Sequence, residues 1–493
     1  MADPNGAAVF ATMLPTGLLV VLAGVVALLG WRRPGLPPSF HRWLGSIALV
    51  GAGIAAVITF RALRHTSGLG LAAYSGGVVA DQFEAFATLL LCATGLVATL
   101  SSGAAGRRLG SRTPAFQALV LSATAGGTVI AVQWEMAMLV VGVALLVTSL
   151  VGLVALEKAA EAPGEVAFRS LASAGVALAL LLYGLAVIYG ATGSTDLAAT
   201  RDQFVHAAPL EGLGLALTLL GLAFLVGAPP LHRWLLQVAA ASGGAVAGAV
   251  VSLAIVAGGI ALVRVMVSGF STSLRPWVVL AAVLGAAASL YPALLSLVAG
   301  SLRRLIGLGA CLQGGLLVTA LVAGGLGRDY EPAGGVTALL FALVVFVLSI
   351  QASFLAVARL DADGIGSRLS DLRGLARRSP TTAALLGLGL AGLAGLPPLA
   401  GFIARILIVG SVVSAGYPWV AAAVVLASVT YTVPVLRWIA ALFVEDEELP
   451  AVVSTTPRLA GVVAMACAGF GIAASVVAGP LLYAASVAAA ALR

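Results

Sequence analysis

Gly227-Ala228-Pro229-Pro230-Leu231 and Gly395-Leu396-Pro397-Pro398-Leu399 are two copies of nearly the same phrase, 168 residues apart. Each copy lies inside an apolar stretch long enough to form a membrane helix. Two successive prolines remove two backbone donors and clash with the preceding turn, so a helix must break there. A loop between two shorter helices would carry the same phrase. Its recurrence in both halves of the chain favours two broken helices, the usual sequence pointer to an ion path.

The composition is that of a protein that crosses a membrane many times. The chain has 493 residues, of which 61% are hydrophobic and 9% charged, and its mean hydropathy is +1.11. These values exclude a soluble domain of this size. The net charge of +7 comes from arginines spread over short connections, which indicates membrane topology and not nucleic-acid binding. Cys92, Cys311 and Cys467 lie in apolar stretches without metal-ligand spacing, so we expect them to pack as small apolar residues.

The apolar stretches predict fourteen membrane spans, so the expected fold class is an all-α polytopic membrane protein. The seventh and twelfth spans contain the Pro-Pro phrases and are predicted to be broken. The predicted spans cover residues 10–30, 44–62, 84–101, 115–132, 136–156, 170–190, 212–238, 243–266, 277–298, 305–324, 335–358, 382–413, 418–442 and 460–489.

The spans divide the chain into four parts. Residues 1–110 form a three-helix segment, 115–266 a first five-helix unit broken at 227–231, and 277–443 a second five-helix unit broken at 395–399. Because five is odd, the second unit enters the membrane from the opposite side, which predicts an inverted repeat. Residues 444–493 contain a last helix and the acidic run Glu445-Asp446-Glu447-Glu448, which is either a solvated loop or a docking site for a neighbouring subunit. The distribution of arginines between alternate connections predicts that both termini lie on the outer face.

Four phrases resemble those of one protein family. Residues 189–197 read YGATGSTDL, residues 227–234 read GAPPLHRW, residues 302–305 read LRRL and residues 394–402 read AGLPPLAGF. They resemble phrases of the N subunit of bacterial NADH–quinone oxidoreductase, respiratory complex I, and the resemblance extends over roughly residues 80–440. It implies fourteen helices, two inverted five-helix units and a row of charged side chains at mid-membrane that passes protons.

The chain departs from that family at most of the charged positions. The family carries a glutamate in helix five and lysines in helices seven and eight, where this chain has Ala144, Leu225 and Ile255. A histidine of helix ten is replaced by Gln313. From helix five to helix eight, only His232 and glutamine-type polarity are expected to remain. We therefore expect the chain's own proton relay to be impaired, because a relay needs closely spaced groups that titrate.

Three positions keep their polarity, and each has a purely structural alternative. His232, beside the first break, either takes part in the proton pathway or caps a freed carbonyl. Arg169 replaces a lysine at the start of helix six and either belongs to the pathway or extends to the membrane surface. Arg405, the third candidate residue of the proton pathway, replaces a lysine after the second break. We expect it to be buried, and its structural alternatives are to neutralise helix ends or to pair with an acid of an adjacent subunit. Glu135 and Trp134 are expected at the membrane interface, at the turn between the fourth and fifth spans.

No nucleotide-binding, haem or iron–sulfur motif is present in the sequence, so we expect no catalytic residue, cofactor or metal. The predicted function is that of an N-type membrane-arm subunit of a proton-translocating NADH–quinone oxidoreductase in the bacterial inner membrane. Its partners would be the lipid bilayer and other membrane subunits, with NADH and quinone reached only through those subunits. A stand-alone or Mrp-type cation/proton antiporter and a non-pumping membrane scaffold are the alternatives.

Overall fold

The computed structural model describes residues 4–63, 71–73, 77–104, 109–157, 163–203, 209–270, 275–324, 333–444, 469 and 478–492. These residues are almost entirely helical, with one short antiparallel hairpin of two strands. In chain order the elements are α1 Pro4–Arg32, α2 Pro38–Leu63, β1 Leu71–Ala73, β2 Val78–Ala80, α3 Gln82–Ser101, α4 Thr113–Val132, α5 Met136–Ala155, α6 Pro163–Thr192, α7 Leu197–Gln203, α8 Pro209–Ala223, α9 Arg233–Ala241, α10 Gly244–Leu262, α11 Arg275–Ser296, α12 Leu302–Gly324, α13 Ala333–Ala362, α14 Leu375–Arg378, α15 Pro380–Ala394, α16 Ala400–Ser414, α17 Pro418–Ala441 and α18 Ala478–Ala490.

The prediction of an all-α polytopic membrane protein is confirmed. Among the described residues, eleven helices are long and apolar enough to cross a membrane, and four shorter apolar helices accompany them. The predicted span boundaries lie close to the helix ends, because apolar runs of about twenty residues end where polar residues and turns begin. The count of fourteen spans and the inverted repeat stay predictions. The acidic run 445–448 and residues 460–468 and 470–477 of the last predicted span, with Cys467 among them, lie outside the described residues.

Both Pro-Pro phrases interrupt helices, as predicted. The helix α8 ends at Ala223 and α9 begins at Arg233, while α15 ends at Ala394 and α16 begins at Ala400. The turn after each first half uses a glycine at positive φ, +69° at Gly227 and +66° at Gly395, a conformation that side chains disfavour. The Pro229–Pro230 and Pro397–Pro398 peptide bonds are both cis.

The helices α10 and α12 form the centre of the bundle and are buried along their apolar length. Small residues let their neighbours approach closely, as is usual between membrane helices. For example, a Cβ on Gly258 of α10 would lie 2.7 Å from Cβ of Leu225, which follows α8. The centre of the bundle is therefore closely packed and almost entirely apolar.

Two local features were not predicted. The hairpin pairs Leu71 with Ala80 and Ala73 with Val78, and it packs beside the start of α3. We call the side of the bundle that carries this hairpin the hairpin side. The last turns of the eighth predicted span form a π-helix, Val263–Ser268, which continues α10 toward the hairpin side. Wide π turns change which way a helix presents its side chains, and they often occur at functional sites.

Candidate functional site

The first break is closed by a side chain from its second half. The indole nitrogen of Trp234 donates a hydrogen bond of 3.0 Å to the carbonyl of Phe224, and the two rings stack with centroids 4.8 Å apart. The freed carbonyl after α8 is thus capped by Trp234 and not by His232, the capping residue that we considered from the sequence. His232 is buried, and its ring stands edge-on to Tyr291 with centroids 4.9 Å apart.

The second break is closed in a similar way by Arg405, which is buried as expected. Its Nη2 donates to the carbonyl of Leu393 at 2.5 Å, and its Nη1 donates to the carbonyl of Ala394. These are the last carbonyls of α15, where the partial negative charge of a helix end accumulates. A Cβ on Gly395 would lie 2.7 Å from Nε of Arg405, so the glycine leaves room for the guanidinium. Arg405 therefore neutralises a helix end at the break.

The replaced family positions lie close together in the first half of the bundle. Leu225 is 1% exposed and packs against Gly258, one turn from Ile255, which is 0% exposed. Ala144 lines an apolar cavity of about 110 Å³ whose wall includes Phe224, the residue before Leu225. The structure therefore places Leu225 beside the turn of α10 that follows Ile255, and Ala144 beside Phe224, and none of the three side chains can carry a proton.

Further buried residues lead from these three positions toward Arg405 in the second half of the bundle. Gln313 is buried on α12, and its neighbour Gly314 abuts the carbonyl of Val226 after α8. One turn earlier on α12, Gly309 lies against the hydroxyl of Tyr431. That hydroxyl donates a 3.1 Å hydrogen bond to the carbonyl of Leu305. We call the line through Ala144, Leu225, Ile255, Gln313, Tyr431 and Arg405 the central row. Its first half is apolar, and its second half ends in an arginine that two carbonyls hold.

Arg169 does not belong to the central row. Its side chain is 58% exposed and pairs with Glu165, one turn earlier on α6. An exposed position near a helix end agrees with the surface alternative considered from the sequence. Glu135 is partly exposed, as expected, and accepts a 3.1 Å hydrogen bond from Thr195 on the hairpin side. Trp134, which we expected as an interface anchor, instead covers a buried arginine, Arg264, with its ring centroid 5.3 Å from the guanidinium carbon.

The sequence analysis missed that arginine, although it lies within the eighth predicted span. Arg264, in the π-helix, is 0% exposed and binds both carboxylate oxygens of Asp81 at 2.5 and 3.0 Å. It also donates to the carbonyl of Ala131 at 2.9 and 2.7 Å, and Phe83 lies on its face, 4.8 Å from the ring centroid. The expectation that only His232 and glutamine-type polarity remain in this stretch is therefore wrong.

A second polar cluster holds the start of α10 on the opposite side of the bundle. Glu157 accepts a 2.7 Å hydrogen bond from the backbone of Gly243, and Asp361 accepts one of 2.9 Å from Gly244. Asp361 also forms an ion pair with Arg303. Carboxylates at a helix start satisfy donors that the helix leaves free. The two carboxylates line a cavity of about 100 Å³ and position α10 against α13.

Comparison with known proteins identifies the family that has this architecture. Residues 134–430 match the family model described as "NADH:quinone oxidoreductase/Mrp antiporter, TM". The chain belongs to this family. Within the family, it is 33% identical to NADH-quinone oxidoreductase subunit N 1 of Solidesulfovibrio magneticus, over 76% of this chain and 80% of that protein. It is 28% identical to subunit N of Granulibacter bethesdensis over 98% and 99% of the two chains.

Solved structures of the family show the same fold. A chain of respiratory complex I from Thermus thermophilus superposes with a TM-score of 0.79 at 25% identity, covering 95% of this chain and 98% of that one. A chain of the Mrp complex from a Dietzia species gives a TM-score of 0.85 at 20% identity, covering 98% and 97%. The chain is thus an antiporter-like membrane subunit whose curated relatives are N subunits.

Proposed function

We propose that this chain is an N-type subunit in the membrane arm of a proton-translocating NADH–quinone oxidoreductase of the complex I type, and that its own proton relay is impaired. The observation that carries the assignment is the likeness to N subunits along nearly the whole chain. NADH and quinone would be handled by partner subunits. The proposal places the chain in a bacterial inner membrane, with both termini on the outer face and with two inverted five-helix units, 115–266 and 277–443.

The breaks support assembly with other membrane subunits. Pro230, Pro397 and Pro398 are exposed on the outside of the bundle, while Gly227 and Gly395 behind them are buried. Irregular backbone at membrane depth is stable only where protein or a water-filled cavity covers it. Protein contacts at both breaks would provide that cover. Such contacts would also explain how a chain with two breaks facing outward is stable in a bilayer.

The impaired relay is supported by the first half of the central row. A relay requires groups that titrate within reach of one another or of a bridging water. Leu225 and Ile255 are aliphatic and closed to solvent, and the cavity beside Ala144 is lined by apolar side chains apart from Thr148. Arg405 carries a charge but, as an arginine, does not release its proton near pH 7. Both features point to a fold that has been kept while its proton-carrying side chains were replaced.

Co-purification tests the assignment. An affinity tag on the chromosomal copy of this chain is expected to recover the other subunits of a complex I-type assembly from mildly solubilised membranes. NADH:quinone oxidoreductase activity should migrate with the tagged chain on a native gel. A tag on an unrelated polytopic protein of similar abundance is the control. Recovery of the chain alone, or rescue of an antiporter-deficient, salt-sensitive strain by the chain alone, would favour the stand-alone antiporter.

Restoring the family side chains tests the impaired relay. We expect Ala144→Glu, Leu225→Lys and Ile255→Lys, combined in one chain, to raise proton leak or NADH-driven proton uptake in vesicles above the parent complex. The physical reason is that the three positions lie close together, and the cavity at residue 144 leaves room for a carboxylate. The matched control is Val147→Glu with the two lysines, because Val147 lines the same cavity one turn away. An unchanged proton flux in a fully assembled triple variant contradicts the impaired-relay proposal.

A further inference from the structure

Glu84, on the first turn of α3, is a buried carboxyl that the proposed function does not use. It lies in the three-helix segment that precedes both five-helix units, and its side chain is 3% exposed. An ionisable group buried in a membrane protein is costly and is retained mainly where it carries charge or protons. The contacts around Glu84 show which of its two protonation states this site accommodates.

The two carboxyl oxygens of Glu84 have different surroundings. Its Oε1 accepts a 2.9 Å hydrogen bond from the hydroxyl of Thr88, one turn along α3. Its Oε2 is buried and has no hydrogen-bond partner among the described residues. An ionised carboxylate accepts at both oxygens, and leaving one buried without a donor is unfavourable. A protonated carboxyl tolerates this arrangement better, because Oε2 then carries the hydrogen.

The nearby charges also favour the neutral acid. Arg264 is already committed to Asp81 and to the carbonyl of Ala131, and four of its five N–H groups are used there. The pair of Arg264 and Asp81 is neutral, so an ionised Glu84 would leave the buried cluster with a net negative charge. Such a charge in an apolar interior is expensive unless it is paired.

Among the residues that the structure describes, no other cation faces Glu84 from the elements that pack against α3. Neither α4 nor β2 contains an ionisable side chain, and α10 with its π extension contributes only Arg264. On α3 itself the other ionisable groups are Asp81 and Cys92. The remaining described groups on the packed elements are exposed or lie at the other end of their helices: Arg61, His41 and Arg42 on α2, Arg359 and Asp361 on α13, and Tyr483 on α18.

Further polar groups lie on the hairpin side of the cluster. Gln133 is fully buried between Ala131 and Trp134, which both contact Arg264, and neither atom of its amide has a partner within the described chain. Ser268, four residues after Arg264, is likewise buried with a free hydroxyl. These side chains can accept or donate a hydrogen bond, and the backbone of Gln133 forms an isolated β-bridge with Val78 of the hairpin. Asp81, which pairs with Arg264, also accepts a 2.6 Å hydrogen bond from the backbone N–H of Glu84, so the polar surroundings of the carboxyl extend toward the hairpin side.

We propose that Glu84 is a proton-binding site, held as a neutral acid that exchanges its proton with the hairpin-side surface. On release, the O–H bond at Oε2 breaks, the proton passes to water, and the carboxylate remains; uptake is the reverse. The site is distinct from the central row and goes beyond the proposed function. A metal cation fits this site less well than a proton, because one carboxyl and one hydroxyl supply too few oxygen ligands. Among the described residues, no group of three His, Cys, Asp or Glu side chains could hold a metal ion.

Infrared spectroscopy of the full chain in its membrane complex tests this site. The difference spectrum between wild type and Glu84→Gln at neutral pH should contain one carboxylic-acid C=O band, and that band should shift when H₂O is replaced by D₂O. The control is Glu135→Gln, which removes a partly exposed carboxyl on the same side and should give carboxylate bands only. Carboxylate bands for Glu84, a band insensitive to D₂O, or a band that disappears on adding Na⁺ would each overturn the proposal.

A second variant keeps the test decisive if Glu84→Gln does not fold. Thr88→Val removes the one side-chain hydrogen bond to Glu84 Oε1 and leaves the carboxyl in place. The C=O band of the acid should then move to higher frequency, because a carbonyl without a donor has a stiffer bond. The double variant Thr88→Val/Glu135→Gln should show the same movement. An unchanged band in Thr88→Val shows that the band does not arise from Glu84 and contradicts the assignment.

Discussion

Arg264→Met is expected to lower the free energy of unfolding by about 3–5 kcal/mol, the usual cost of removing one partner from a buried ion pair. The substitution keeps an unbranched apolar side chain at this position but removes the guanidinium and its contact with the ring of Phe83. Asp81 then lies buried without its cation, and the carbonyl of Ala131 loses the donor that it has at the end of α4. The measurement is denaturant- or heat-induced unfolding of the purified complex, together with the amount of chain retained in membranes.

Two further variants separate the buried charge from general damage at this position. Arg169→Met breaks the exposed pair with Glu165 and should cost less than about 1 kcal/mol. Adding Asp81→Asn to Arg264→Met should recover part of the lost stability, because the second substitution removes the unpaired charge and asparagine can still cap the start of α3. If the double variant is less stable than Arg264→Met alone, the cost does not come from an uncompensated carboxylate.

The sequence could predict the parts of the fold that depend on local chemistry. Apolar runs give the helix bounds, and Pro-Pro preceded by a glycine gives the breaks at residues 227–231 and 395–399. The burial of Arg405 also followed from its place in a long apolar run just after a break. The partner that closes the first break did not follow. His232 is next to the prolines, but the indole of Trp234 is the donor that reaches Phe224.

The pair of Asp81 and Arg264 was missed because it is non-local. The residues are 183 positions apart, and each stands at the end of an apolar run, where a charge normally faces water or lipid headgroups. One signal was available. Alternating spans put the start of the third and the end of the eighth on the same side of the membrane, so an acid and an arginine lay at matching depth. The packing of α3 against α10, which sequence periodicity does not predict, brings the acid and the arginine into contact.

Along the central row, the features that the fold requires differ from those that a proton relay requires. The chain keeps the family fold at helix breaks and close glycine contacts, which depend on backbone shape. At Leu225 and Ile255 it keeps burial but loses the charge. The fold requires the backbone shape and the burial, while a proton relay requires charged or titrating side chains. The proposal of an impaired relay holds that the two requirements have separated in this chain, and variants of Arg405 can distinguish them.

Arg405→Met is expected to reduce the amount of assembled complex and its thermal stability far more than His232→Ala. The carbonyls of Leu393 and Ala394 lose their donor in a buried site, at about 1–3 kcal/mol for each unsatisfied group. His232→Ala removes mainly the edge-on contact with Tyr291. Native-gel quantification of the complex and a thermal unfolding curve measure both effects.

Arg405→Lys separates a structural role from proton transfer. Lysine keeps the positive charge but lacks the planar fork that reaches two carbonyls at once, so stability should fall between wild type and Arg405→Met. Because Arg405 holds a helix end and does not exchange a proton, the complex that does assemble should move as many protons per NADH oxidised as wild type. Proton uptake by inverted vesicles, normalised to NADH oxidation, measures this ratio. If Arg405→Lys assembles fully but changes the ratio, the structural role of Arg405 is refuted.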